Sequence, residues 1–157
     1  MSFSNSGLRV YQQIKDYLDK RDFHYEPHDD QLLIQLTVKG DDLPQPTIIR
    51  VIDERQVFQV LSPIPCVMPE DKLVDGALAV AVANDRMLNG SFDYNTVNGR
   101  IAYRVTQAFM GMEVSEECIE YVLNVAFFTT DKYNDKFFMI SKGMMTLEQF
   151  LEQESQD

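Results

Sequence analysis

Few residues in this chain have types suited to chemistry, and their spacing does not favour it. His24 and His28 are the only histidines, and with Glu26, Asp29 and Asp30 they form an imidazole and carboxylate group of the kind that binds zinc. Two histidines four residues apart meet on one face of a helix, but Pro27 lies between them and forbids a regular helix, so the segment reads as a solvated loop. The adjacent acids Glu116 and Glu117, or Asp29 and Asp30, are not held apart across a cleft as paired acid and base catalysts are. The first pair reads as helix-start electrostatics and the second as loop solvation. Cys118 falls in the first turn of an expected helix, where the dipole favours a thiolate, yet two acids precede it and no histidine follows. It lies far from Cys66, and the two form neither a Cys-x-x-Cys pair nor a ligand cluster, so both read as free, largely buried thiols. Gly76, Gly90 and Gly99 are isolated, and Gly40-Asp41-Asp42 puts carboxylates where a phosphate would sit. The sequence therefore assigns no catalytic, cofactor-binding or metal-binding residue, and an enzyme is not expected.

Composition narrows the partners. A chain of 157 residues with 45% hydrophobic residues can bury a substantial core, and no linker, repeat or low-complexity tract divides it, so one domain over residues 1–157 is expected. Its 14 Lys and Arg against 25 Asp and Glu give a net charge of -11, which repels phosphate backbones and anionic membranes. The longest basic cluster, Lys20-Arg21, is followed at once by Asp22. No stretch approaches the roughly 20 apolar residues of a membrane span, and the opening Met1-Ser2-Phe3-Ser4-Asn5-Ser6-Gly7 is too polar for a secretory signal. Expected partners are therefore neither nucleic acid nor membrane, and the expected location is the cytoplasm.

The periodicity supplies the elements. Leu8, Tyr11, Ile14 and Leu18 make an amphipathic helix after the possible caps Asn5 and Ser6, ending near Arg21. The aromatic cluster Tyr11, Tyr17, Phe23 and Tyr25 reads as core. Leu32 to Val38, Thr47 to Ile52 and Val57 to Leu61 read as an antiparallel meander, with Pro44 and Pro46 interrupting between the first two strands. A helix runs from about Pro69 to Leu88, with Gly90 just past its end. Two more alternating runs flank Asn98-Gly99, which predicts a tight hairpin turn. Ser115 with Glu116 and Glu117 starts a helix whose apolar stripe extends toward Lys142-Gly143, long or broken near Thr129-Thr130. Thr146 and Gln149 form a capping box for a last short helix. The fold class is α+β, with an antiparallel sheet of about five strands, packed helices and the order α-β-β-β-α-β-β-α-α.

This order, together with Asn84, Leu88, Gly90, Phe92, Gly99, Ile101, Tyr103 and Arg104, resembles the YbjN family of proposed bacterial sensory-transduction regulators, whose fold is similar to that of type III secretion chaperones. The resemblance spans most of the chain and implies a secretion-chaperone-like fold, a non-enzymatic regulator or chaperone-like role and a dimer. It supplies no catalytic residue. The proline-interrupted stretch Leu43 to Pro46 and the short terminal helix are departures from the family pattern.

One feature of the Pro69 to Leu88 helix points to a contact. Leu73, Ala77, Val80, Ala81, Asn84 and Leu88 make one stripe, and Val74, Leu78 and Val82 make a second beside it. Together they cover roughly half the circumference, more than one sheet contact needs. Either a second copy of the chain or a neighbouring helix of the same chain covers the second stripe. The expected function is protein binding, as a regulator or chaperone-like domain in a homodimer. The alternatives are a small-molecule sensor with a pocket between sheet and helix, and a hydrolase using scattered carboxylates.

Overall fold

Alternation of apolar and polar residues along five segments gathers them, with one further edge strand, into one antiparallel sheet, and the helices cover its apolar face. The computed structural model describes residues 2–156, so Met1 and Asp157 at the ends of the expected domain lie outside it. The elements in chain order are α1 (Asn5–Lys20), β1 (Tyr25–His28), β2 (Leu33–Lys39), β3 (Pro44–Ile52), β4 (Val57–Val67), α2 (Leu73–Asn84), β5 (Ser91–Tyr94), β6 (Arg100–Ala108), α3 (Glu116–Ser141) and α4 (Leu147–Gln156). The strand order is β1-β2-β3-β4-β6-β5.

One more strand forms than the alternation predicts. The His24 to Asp30 segment, expected as a loop, contains β1, which pairs only with β2 and places Pro27 opposite Ile34. An edge strand has one bonding side free, so a proline there need not lose a ladder hydrogen bond. Pro44 and Pro46, expected to interrupt the meander, likewise lie inside β3, where Pro46 opposes Thr37 of β2. They are tolerated because the β3–β4 ladder starts only at Ile48 and Leu61, leaving that end of β3 unpaired on its other side. β4 continues through Pro63 and Pro65 to Val67, with a bulge between Pro63 and Val67 against β6.

The inward face carries Ile34 and Leu36, Ile49 and Val51, Phe58 and Val60, and Ile101, Tyr103 and Val105, all buried. The long α3 lies across β4 and β6 and is unbroken at Thr129-Thr130. Its Ile119, Val122, Leu123, Ala126, Phe137 and Ile140 face the sheet. Tyr11 and Tyr17 are buried, and Phe23 and Tyr25 pack partly buried against the same core. The N-cap of α1 is Ser4, whose hydroxyl accepts from the Gly7 N–H at 3.0 Å. Asp53 selects it by accepting the Ser4 N–H at 2.8 Å and the Ser4 hydroxyl. Thr146 and Gln149 form the expected reciprocal box at 2.9 and 3.1 Å.

Candidate interaction surface

The second helix is set by its small residues. α2 is shorter than predicted: a 3-10 turn over Glu70–Lys72 leads into it, and it ends at Asn84. Its buried face is Gly76, Ala79, Val80 and Ala83. A Cβ on Gly76 would lie 2.6 Å from Met68 Cγ and 2.7 Å from the Tyr94 hydroxyl, so only glycine lets the helix backbone approach β5 this closely. The Tyr94 hydroxyl then donates to Leu73 O at 2.7 Å.

That approach closes a sheet edge. Asn84 Oδ1 accepts the Phe92 N–H at 2.7 Å, and Asn84 Nδ2 donates to Phe92 O at 3.0 Å. The side-chain amide thus takes the place of a neighbouring strand on β5. The opposite edge strand, β1, carries Pro27 and has one donor fewer to offer. Both edges of the sheet are therefore poor templates for an added strand.

What α2 leaves outward is apolar. Val74 is 72% exposed and Leu78, one turn on, is 48% exposed. Val82 is half-buried and turns toward a cleft of about 570 Å³ between the end of α2, the middle of α3 and α4. Met87, the exposed Phe128 and Leu151 line the cleft with it, and Arg86, Lys132 and Glu154 supply polar groups. α4 packs beside α2, and its buried Phe150 meets Phe137 of α3. Glu154 fixes it by accepting from the Tyr133 hydroxyl and Lys136 Nζ, each at 2.7 Å, in a largely buried ion pair. The cleft thus lies among helices, not between sheet and helix.

The groups weighed for chemistry do not converge. His24 is exposed, and His28 contacts Gln35 Oε1 at 3.3 Å. On extended chain, four residues separate their Cα atoms by roughly 13 Å. No group of three or more His, Cys, Asp or Glu among the described residues is placed to hold a metal ion. Glu116 pairs with Lys20 at 2.6 Å, whereas the Glu117 carboxyl is held below the usual range by its own backbone N–H and by Ser115, the N-cap of α3. Burial pushes the thiols of Cys66 and Cys118 up, and both are free. No helix among the described residues is long and apolar enough to cross a membrane.

One carboxylate has a titration that can be checked. Asp29 accepts from Lys15 Nζ at 3.1 Å and from the Tyr11 hydroxyl at 2.9 Å, and these bonds lower its pKa. A lowered folded-state pKa contributes stability that is present above the ordinary aspartate range and is lost as pH falls through the lowered value. Tyr11→Phe removes one donor, so the Asp29 carboxyl should titrate at higher pH than in the native chain by NMR. An unmoved titration would show that the hydroxyl does not hold the carboxylate.

Sequence reasoning missed Asp53, Asp131 and Glu154, and singled out Asn84 without its bonds to Phe92; the four fix the entry of α1, the β2–β3 turn, α4 and the β5 edge. Their partners lie 49, 86, 21 and 8 residues away, for Ser4, Gln45, Tyr133 and Phe92 respectively. Only Asn84 at a helix end carried a local signal.

Similarity searches place this architecture among known folds. No protein-family model matches the chain, and no curated protein sequence matches it. Solved structures do. YbjN from E. coli, proposed to be a transcription regulator, matches with a TM-score of 0.59 at 12% identity, covering 83% of this chain and 90% of that one. The fold is YbjN-like. The structure of the HopA1–SchA chaperone–effector complex matches at a TM-score of 0.51 and 9% identity, covering 83% of this chain and 96% of that one. The ExsC–ExsE complex matches at 0.54 and 11%, covering 81% and 92%. The α+β class with an antiparallel sheet and a secretion-chaperone-like arrangement thus holds, with six strands instead of about five.

Proposed function

We propose that the chain is a non-enzymatic, protein-binding regulator or chaperone-like domain of the cytoplasm that works as a homodimer. The observation that carries this reading is the solvent-facing pair Val74 and Leu78 on α2. Two large aliphatic side chains one turn apart, on a helix whose other face is already packed, form an apolar surface that water penalises and a second apolar surface relieves. A two-fold axis across α2 brings this stripe onto its own copy, and the absence of charge at Val74, Leu78 and Val82 avoids like-charge repulsion there. One observation supports the protein-binding part: the neighbours of this fold include a chaperone bound to an effector.

Leu78→Asp introduces a charge into the proposed contact without touching the buried face of α2. In sedimentation velocity the variant should run as a monomer where the native chain runs as a dimer, with an unchanged far-UV circular dichroism spectrum and a lower melting temperature at high protein concentration. A variant that keeps the native mass would overturn the α2 interface. The small-molecule sensor has less support, because the cleft beside Val82 is open to solvent.

A further inference from the structure

At one station of the helix–sheet packing, both layers turn polar. α3 presents Thr130 and Asn134 between Ala126 and Phe137, and the facing strands present Gln45 and Thr47 of β3 and Ser62 of β4. All five side chains are buried, Thr130 and Asn134 completely. Protein hydrogen bonds satisfy part of this seam. Asp131 Oδ1 accepts from Gln45 Nε2 at 2.9 Å and from the Asp41 N–H at 3.0 Å, and the hydroxyls of Thr47 and Ser62 lie 3.4 Å apart. Three atoms have no protein partner: Gln45 Oε1, Thr130 Oγ1 and Asn134 Nδ2. Leaving such atoms bare costs about 1–3 kcal/mol each, too much to expect three times in one core.

The orientation of these atoms selects what satisfies them. Gln45 Nε2 is committed to Asp131, so Gln45 turns an acceptor inward. Asn134 Oδ1 accepts the Asp135 N–H at 2.7 Å, so Asn134 turns a donor inward. Thr130 can do either. A cation is refused by the amide donor and an anion by the amide acceptor, whereas a neutral molecule that both donates and accepts fits all three. The β3–β4 ladder stops at Ile48 and Leu61, and the strands beyond it carry Pro46 and Pro63. A recess of about 390 Å³ on the outer face is lined by Pro46, Thr47 and Pro63 beyond the last β3–β4 pair.

We propose that this seam is a built water site, in which ordered water bridges Thr130 and Asn134 of α3 to Gln45 of β3. The water fixes the register of α3 on the sheet, a task the apolar contacts on either side leave unspecified. A high-resolution crystal structure of the native chain should show water within hydrogen-bond distance of Gln45 Oε1 and Asn134 Nδ2, and a dry seam would overturn the proposal. Thr130→Val, which keeps the shape and removes the hydroxyl, should lower the melting temperature by about 2–4 °C. Thr130→Ser should retain the water and melt close to native. If Thr130→Val melts higher than native, the hydroxyl was an uncompensated burden and no water bridges it.

Discussion

Phe137→Ala should destabilise the fold by about 3–5 kcal/mol, the usual cost of truncating a fully enclosed aromatic ring. Phe137 is completely buried on α3. Its ring meets Phe92 edge-on at 5.0 Å between centroids, stacks near Tyr133 at 5.9 Å and faces Phe150 of α4 at 6.2 Å. It is therefore the shared contact of α3, β5 and α4, and a cavity there loosens all three. Edge-to-face pairs add about 0.5–1.5 kcal/mol beyond the area they bury, so the loss should exceed that of an aliphatic truncation. Thermal unfolding should show a midpoint lower by on the order of 10 °C. A fall of a degree or two would mean that α4 re-docks without this ring.

Gly99→Ala should be nearly as damaging for a different reason. Gly99 has φ of +71°, and a Cβ there would lie 2.2 Å from Met68 O and 2.9 Å from Met68 N. The first costs roughly 1–2 kcal/mol for a residue with a side chain. The second cannot be relieved by a rotamer change, because the obstacle is backbone that Gly99 itself holds, the Met68 N–H donating to Gly99 O at 2.9 Å. Overpacking against fixed atoms adds about 1–3 kcal/mol. The measurable consequence is a lower urea midpoint with an unchanged slope, and a midpoint equal to the native value would show that the loop moves away freely.

That same loop marks where local rules were sufficient and where they were not. Asn98-Gly99 predicted a hairpin between β5 and β6, and the hairpin forms, but not through a two-residue turn. Gly99 alone has positive φ there. Asn95 closes a longer loop, its Oδ1 accepting from the N–H groups of Val97 and Asn98 at 2.9 and 3.1 Å. Apart from β1, the order of helices and strands followed from periodicities of 3.6 and 2, and the capping box of α4 from its Thr146 and Gln149. Strand ends were harder. Prolines read as interruptions are compatible with strands wherever one side of the strand lacks a neighbour, and that condition is set by sheet order, which no local pattern encodes. The candidate interface was legible in part. The sequence marks two apolar stripes over roughly half of α2, but its buried face is Gly76, Ala79, Val80 and Ala83, because Gly76 lets the backbone approach β5 and so sets which side of the helix turns inward. The exposed remainder, Val74 and Leu78, follows from that choice.

The central claim is that this remainder meets a second copy of the chain, and sedimentation equilibrium of the native protein over a range of concentrations tests it most directly. The account predicts a mass that tends to twice 18.1 kDa as concentration rises. A mass that stays at 18.1 kDa throughout would contradict it.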